Sequence, residues 1–260
     1  MDSLPSLWPS PPERPNRLDH EMVVGAVGAR LDELVGRYSE WGFSGTVLVA
    51  KGDEVLLHKG YGMANREAGV PNSVDTRHPW LSITKPALAM AVMRLAERGI
   101  LDLDAPIAKY LGAFPEQKSA ATLHHLLTHT AGLAERGSDV GRPVRADFVQ
   151  AMKDAPFESP PGLERRYSNA GYSLIAALVE EVTGKPWQTV VREEVFAPAG
   201  MVHSSFATDP DAPATTVGYA GAVFAPRPMT LADGPPEMAE LWWGAAGAAG
   251  IDGTVADLYS

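Results

Sequence analysis

Apolar residues recur at helical spacing in the first part of the chain. Between about Asp19 and Tyr38, charged side chains fall on one face of a helix, and the opposite face is apolar: Val24, Val27, Leu31, Leu34, Val35 and Tyr38. Prolines are frequent in residues 1–18, which we expect to form an irregular arm. The pattern therefore predicts an arm followed by a domain, residues 19–260, that begins with an amphipathic helix.

Two short runs rich in β-branched and other apolar residues follow this helix. Residues 46–50 and 54–58 are typical of strands, and Lys51-Gly52-Asp53 between them predicts a hairpin turn. Two strands do not form a stable sheet alone. We therefore expect either that later strands are missing or that another chain supplies them.

Helical periodicity dominates the middle of the chain. A helix is predicted from about Ser82 to Arg98, where Leu88, Val92 and Leu95 form an apolar stripe and Gly99 occupies the cap position. Further helices are predicted at about 123–129, 146–153, 170–183 and 187–197. Residues 207–236 are rich in Pro, Ala and Gly and predict a long loop.

Composition excludes several classes of function. A chain of 260 residues with 45% hydrophobic and 21% charged residues is long and apolar enough to bury a core. The net charge is −10 and no run of Lys and Arg is present, so we expect no nucleic acid partner. The absence of Cys excludes disulfides, thiolate nucleophiles and cysteine-ligated metals. No signal peptide or membrane-spanning run is recognisable, so we expect a cytoplasmic protein that has no membrane partner.

The first candidate for catalysis is Ser82-Ile83-Thr84-Lys85, at the start of a predicted helix. Serine becomes a useful nucleophile when a base removes its proton. Residues at i and i+3 lie side by side on a helix, so Lys85 can reach the Ser82 hydroxyl. Backbone N–H groups at the helix start can stabilise an oxyanion. Taken alone, the motif is weak and favours the alternative in which Ser82 only caps the helix and Lys85 is a solvated charge.

The second candidate is Tyr167-Ser168-Asn169, which precedes another predicted helix. A tyrosine close to a lysine can move a proton, and Asn169 offers both a donor and an acceptor to a substrate or to Lys85. The alternative is a tyrosine packed under a turn, with Asn169 as a helix cap. Ser82, Lys85 and Tyr167 are therefore candidates for catalysis, and Asn169 is a candidate for substrate binding.

These segments together resemble the penicillin-recognising serine hydrolases, in particular class C β-lactamases and family VIII carboxylesterases. The first motif resembles the family's S-x-x-K sequence and the second its Y-x-N sequence. The other matching stretches are Gly45–Gly52, Leu101–Asp104, Lys109–Leu111, Leu126–Leu133 and Phe196–Met201. The resemblance implies an α/β fold of the α+β type, β-lactamase/transpeptidase-like, in which an antiparallel sheet is flanked by helices and residues 101–201 are mostly helical.

The resemblance also implies a chemistry. Ser82 is expected to be acylated, Lys85 and Tyr167 to move protons, and Asn169 to orient the substrate, without a metal or an organic cofactor. His125 and His129 have a spacing that can hold zinc, but no third ligand is recognisable, and we expect them to pack near the site. Carboxylic esters are the first expected substrates. A β-lactamase and a D-amino-acid peptidase or amide hydrolase of the same fold are alternatives.

The sequence departs from the family at its end. The family's third motif, a Lys or His followed by a small residue and Gly, has no match in a plausible place. Gly244–Gly250 resembles a segment that comes well before that motif. We therefore expect the C-terminal strands to be missing or to come from a second chain. A non-catalytic relic or a binding module that has lost the third motif is the alternative from a different class.

Overall fold

The computed structural model describes residues 18–133, 144–209, 211, 215–222, 225–229, 243 and 245–260. The predicted N-terminal arm lies, apart from Leu18, outside these residues. The described chain divides into two compact units. The first contains the residues up to His78 together with Phe196–Ser204 and Gly253–Ser260, and the second contains Pro79–Val195 and Ser205–Asp252.

Helices and short antiparallel strands make up both units. In chain order the elements are β1 (Met22–Val23), α1 (Gly25–Glu40), β2 (Gly45–Lys51), β3 (Glu54–Tyr61), β4 (Met63–Asn65), β5 (Val70–Pro71), β6 (His78–Pro79), α2 (Thr84–Glu97), α3 (Ala108–Leu111), α4 (Leu123–Leu127), α5 (Arg145–Asp154), α6 (Asn169–Thr183), α7 (Trp187–Val191), α8 (Ala197–Ala199), β7 (Ser205–Phe206), β8 (Gly218–Ala222), β9 (Ala225–Met229), β10 (Ile251–Gly253) and α9 (Val255–Tyr259). Single 3₁₀ turns cover Leu81–Ile83 and Glu116–Lys118, and a π-helical turn covers Arg192–Phe196.

The predicted hairpin forms the sheet of the first unit. Strands β2 and β3 pair antiparallel from Gly45↔Tyr61 to Lys51↔Glu54, and β1 lies on the other side of β3. Gly52 has a φ of 60°, which suits the turn because glycine has no Cβ to clash in the left-handed region. Within the described residues no further strand extends this sheet beyond β2.

Helix α1 turns only part of the predicted apolar face, including the half-buried Leu31 and Val35, towards this sheet. Gly28 is its only buried residue, and a Cβ at that position would lie 2.4 Å from the Leu56 carbonyl oxygen. This close approach of helix and strand backbones decides which face turns inward. Several residues of the predicted apolar face are consequently exposed: Val27 (59%), Leu34 (44%) and Tyr38 (55%).

Helices α2 and α6 form the core of the second unit. All residues of α6 from Ala170 to Val179 are buried, and α2 buries the predicted stripe of Leu88, Val92 and Leu95. Ser168 caps α6 because its hydroxyl accepts a hydrogen bond from the Gly171 N–H at 3.0 Å. Between 101 and 201 the described residues contain helices and isolated β-bridges but no strand.

The predicted loop at 207–236 was only partly right. Strands β8 and β9 pair antiparallel from Gly218↔Met229 to Ala222↔Ala225, and other residues of the predicted loop lie outside the described chain. Strand β9 contains Pro226 and Pro228, which a two-stranded ribbon tolerates because proline on its outer edge removes no ladder hydrogen bond. In the described part of the chain, no helix combines the length and apolarity needed to cross a bilayer.

Candidate active site

Ser82 lies on a tight turn that leads directly into α2. The helix begins at Thr84, so the predicted start at Ser82 belongs instead to the 3₁₀ turn Leu81–Ile83. Two hydrogen bonds to the backbone of Ile251 hold this turn, one at each end. The Trp80 N–H donates to the Ile251 carbonyl at 2.8 Å, and the Ile251 N–H donates to the Thr84 hydroxyl at 3.2 Å. Leu81 has a φ of 45°, a strained value for a residue with a Cβ.

The hydroxyl of Ser82 is in contact with both predicted proton-transfer groups. Its Oγ lies 2.8 Å from the Tyr167 phenol oxygen and accepts a hydrogen bond from Lys85 Nζ at 3.1 Å. Ser82 is exposed, whereas Lys85 is only 4% exposed. An external molecule can therefore reach the hydroxyl, and the amine that supports it is held inside the unit.

The ammonium of Lys85 has two further acceptors. It donates to Asn169 Oδ1 at 2.8 Å and to the Ala248 carbonyl at 3.0 Å. Its Nζ also lies 4.9 Å from the centre of the Tyr167 ring and 5.7 Å from that of Tyr172, within the range of cation–π attraction. These contacts fix the amine in one place, because an ammonium has three N–H donors and each is directed at an oxygen.

A glycine brings the Ala248 carbonyl within reach of the lysine. Gly247 has a φ of 68°, and a Cβ there would lie 2.5 Å from the Leu88 side chain and 2.8 Å from the Tyr172 carbonyl oxygen. Only a residue without a side chain allows the backbone this close to α2 and α6. The glycine-rich segment Gly244–Gly250 therefore packs tightly at Gly247, while Gly244 lies outside the described residues.

His129 lies beside the tyrosine of the site. The centre of its ring is 4.5 Å from that of Tyr167 and 5.2 Å from that of Tyr172, and its Nδ1 is 3.1 Å from the Ser168 backbone nitrogen. Burial lowers the pKa of His129, and the nearby charges of Arg165 and Lys85 lower it further. Burial also raises the pKa of Tyr172, whose hydroxyl donates to the Leu127 carbonyl at 3.1 Å.

The structure brings the four predicted site residues, Ser82, Lys85, Tyr167 and Asn169, into one hydrogen-bonded cluster. The contribution of the Ala248 carbonyl was not predicted, since no side chain signals a backbone acceptor.

His125 takes part in capping its own helix, α4: its Nδ1 accepts a hydrogen bond from the Thr122 N–H at 3.2 Å in a capping box. Among the described residues no group of three or more His, Asp or Glu side chains is arranged to hold a metal ion.

Comparison with known proteins assigns the chain to a family. A sequence model of the family described as beta-lactamase matches residues 31–260. This chain belongs to the beta-lactamase family. The beta-lactamase fold, with helices and small antiparallel sheets, is therefore the fold of this chain, as the sequence motifs predicted, and the family is one of serine hydrolases.

Individual relatives of this beta-lactamase family member carry different names. It is 33% identical over 181 residues to a putative penicillin-binding protein, PbpX, of Bacillus subtilis (69% of this chain, 46% of the relative). It is 35% identical over 207 residues to the esterase EstB of Burkholderia gladioli (70% of this chain, 52% of the relative). The crystal structure of a penicillin-binding protein from Bacillus halodurans superposes with a TM-score of 0.69 at 31% identity, covering 85% of this chain and 69% of that one. The chain thus spans about half the length of the two sequence relatives.

Proposed function

We propose that this chain carries the acyl-transfer centre of a serine hydrolase that acts on carboxylic esters. Ser82 is the nucleophile, Lys85 and Tyr167 transfer its proton, and Asn169 orients the substrate. The observation that carries the proposal is the position of the Ser82 hydroxyl, 2.8 Å from the Tyr167 phenol and 3.1 Å from Lys85 Nζ. A nucleophile in contact with two groups that can exchange its proton is the arrangement that covalent catalysis requires.

The proposed reaction has two steps. Ser82 Oγ attacks the ester carbonyl carbon, and its proton passes through the Lys85–Tyr167 pair to the departing alkoxide, which leaves as an alcohol. A water molecule then attacks the Ser82 acyl ester, gives a proton to the same pair and releases the carboxylic acid, and the proton returns to Ser82. The N–H of Ser82, at the positive end of α2, provides one donor to the oxyanion in both steps.

The exposed position of Ser82 supports an external small-molecule substrate, because the carbonyl can approach the hydroxyl from solvent. The similarity to an esterase over 70% of this chain supports the choice of esters. The similarity to a penicillin-binding protein supports a second candidate, acylation by a β-lactam, and acylation by a D-amino-acid amide is the further alternative from the sequence. Both candidates use the same serine and differ in the acyl group.

Covalent labelling tests the function. The purified chain is treated with a fluorophosphonate probe, a fluorescent penicillin and p-nitrophenyl acetate, alongside Ser82→Ala. We expect labelling and a nitrophenol burst that are lost in Ser82→Ala, and hydrolysis of the acetate ester. A label from penicillin without ester turnover would favour the second candidate. A folded chain that none of the three reagents labels would overturn both and favour a non-catalytic relic.

A further inference from the structure

His129 is held in an unusual backbone conformation two residues after the end of α4. Its φ is 60°, in the left-handed region that residues with a Cβ seldom adopt. The surrounding backbone supports it: the His129 N–H donates to the Leu126 carbonyl at 3.2 Å, and the Arg166 N–H donates to the His129 carbonyl at 2.8 Å. A strained position that the fold maintains at a candidate site calls for a functional explanation.

The imidazole contacts the Tyr167 segment in two ways. Its ring lies over the Tyr167 ring, with an angle of 30° between the planes and 4.5 Å between the centres. Its Nδ1 accepts a hydrogen bond from the Ser168 N–H, the amide that follows Tyr167, at 3.1 Å. Because Nδ1 accepts, the ring is neutral and its proton is on Nε2. One residue thus contacts both the side chain of Tyr167 and the backbone next to it.

We propose that His129 is a positioning residue that holds the Tyr167 phenol against Ser82. This inference rests on the acyl-transfer function proposed above and adds a residue that does not itself touch Ser82. Tyr167 is 45% exposed, so its own burial does not fix its rotamer, and the ring contact with His129 restrains it together with its contacts to Ser82 and Lys85. If the phenol turned away, it would lose its 2.8 Å contact with Ser82. A displacement of about 1 Å at a catalytic group can lower the rate about 100-fold.

The surroundings of His129 favour the neutral ring that this role needs. Lys85 on α2 and Arg165 before Tyr167 are the cations that act on it, and the Tyr167 and Tyr172 rings cover its faces. On its own segment His125 is held by its capping box, and the neighbouring Arg166 is paired with Glu158 and Glu164. A proton on Nδ1 would face the Ser168 N–H and end that hydrogen bond, so acid is expected to release Tyr167.

Two substitutions separate the two contacts. His129→Phe keeps a ring against Tyr167 and removes the acceptor. His129→Asn keeps an acceptor, tolerates a positive φ and removes the ring. His124→Asn, on an exposed residue of α4, is the matched control.

With p-nitrophenyl acetate we expect kcat to fall about 10- to 100-fold in both His129 variants, KM to change less than about threefold, and the control to match the wild type. The low-pH limb of the plot of kcat against pH should differ between the wild type and His129→Phe, because phenylalanine has no group to titrate.

A double-mutant cycle decides whether His129 acts through the phenol. If it does, His129→Phe should cost little in a Tyr167→Phe background, because the hydroxyl that it positions is already absent. An equal loss in both backgrounds, or a folded His129→Phe with wild-type kcat, would overturn the inference while leaving the proposed function intact.

Nuclear magnetic resonance tests the positioning role without activity. The ¹⁵N signals of His129 should show an unprotonated Nδ1, and the Tyr167 ring signals should shift in His129→Asn but not in His124→Asn. If no reagent labels Ser82 and these signals behave as stated, the proposed function fails and the positioning contact stands. A protonated Nδ1, or unchanged Tyr167 signals, would show that His129 does not position Tyr167.

Discussion

The Ala248 carbonyl oxygen accepts a hydrogen bond from Lys85 Nζ at 3.0 Å, although 163 positions separate the two residues in the chain. Gly247 makes this possible by allowing its segment to approach α2 and α6 more closely than any side chain would permit. The lysine of the site is therefore positioned partly by a backbone group that depends on a neighbouring glycine.

Gly247→Ala should destabilise the fold and disturb the lysine. The new Cβ would meet the Leu88 side chain and the Tyr172 carbonyl, in addition to the strain of a φ of 68°. Gly184→Ala is the matched control, since its φ is 67° but its Cβ would meet open space. We expect a loss of about 1 kcal/mol for the control and about 2–4 kcal/mol for Gly247→Ala in urea unfolding. Equal losses would show that strain alone, and not the close approach, matters at Gly247.

Tyr167→Phe should slow proton transfer strongly and leave the fold unchanged. The substitution removes the hydroxyl that lies 2.8 Å from Ser82 Oγ but keeps the ring that contacts His129. We expect the acylation rate, followed as nitrophenol release, to fall about 10²- to 10⁴-fold with an unchanged Tm. Tyr38→Phe, on an exposed residue of α1, should match the wild type. A Tyr167→Phe variant with wild-type acylation would remove Tyr167 from the mechanism.

Lys118 should contribute stability through the end of α5. Its buried ammonium donates to the Met152 and Lys153 carbonyls at 3.1 and 2.5 Å and also to the Ala155 carbonyl. Lys118→Met leaves these carbonyls without a charged donor, so we expect a loss of about 2–3 kcal/mol in the free energy of unfolding. The exposed Lys109, changed to Met as a control, should cost less than about 0.5 kcal/mol. A Lys118→Met variant as stable as the control would contradict this role.

Acid should destabilise the fold through histidines whose pKa is lowered by burial. His58 is fully buried, and neither of its ring nitrogens has a hydrogen-bond partner among the described residues. Burial lowers the pKa of His58 and also that of His78. The unfolded chain therefore binds more protons below the ordinary histidine pKa of about 6.5, and stability falls as the pH drops through that value towards the lower folded pKa.

Urea unfolding at pH 7.5 and 5.5 measures this effect of pH. His58→Leu removes one titrating group, so it should lose less stability between the two pH values than the wild type does, by at most about 1.4 kcal/mol, which is the effect of one pH unit below the ordinary histidine pKa. His124→Leu, at an exposed position, should keep the full dependence. An undiminished loss in His58→Leu would mean that His58 is not the group that titrates.

Local patterns were sufficient for much of this protein. Ser82 and Lys85 are three positions apart at a helix start, so one turn of backbone brings them together wherever the helix lies in the fold. The apolar period of α6 and its Ser168 cap are local in the same way, and the element between Asn169 and Thr183 was predicted almost to its ends. The pairing of β2 with β3 followed from a glycine turn of a few residues.

Other features depended on residues that are distant in the chain. Periodicity predicted an apolar face for α1, but the approach of Gly28 to Leu56 decided which face contacts the sheet. The contact of Tyr167 with Ser82 spans 85 positions, and no local rule determines such a distance.

The sequence by itself therefore determined which side chains are available for the chemistry and which of them share a helical turn. Tertiary packing alone decided that the Ala248 carbonyl reaches Lys85 and that His129 lies against Tyr167. The physical reason is that helix and turn patterns are set by interactions within a few residues, whereas these contacts exist only once α2, α6 and the Gly247 segment pack in three dimensions.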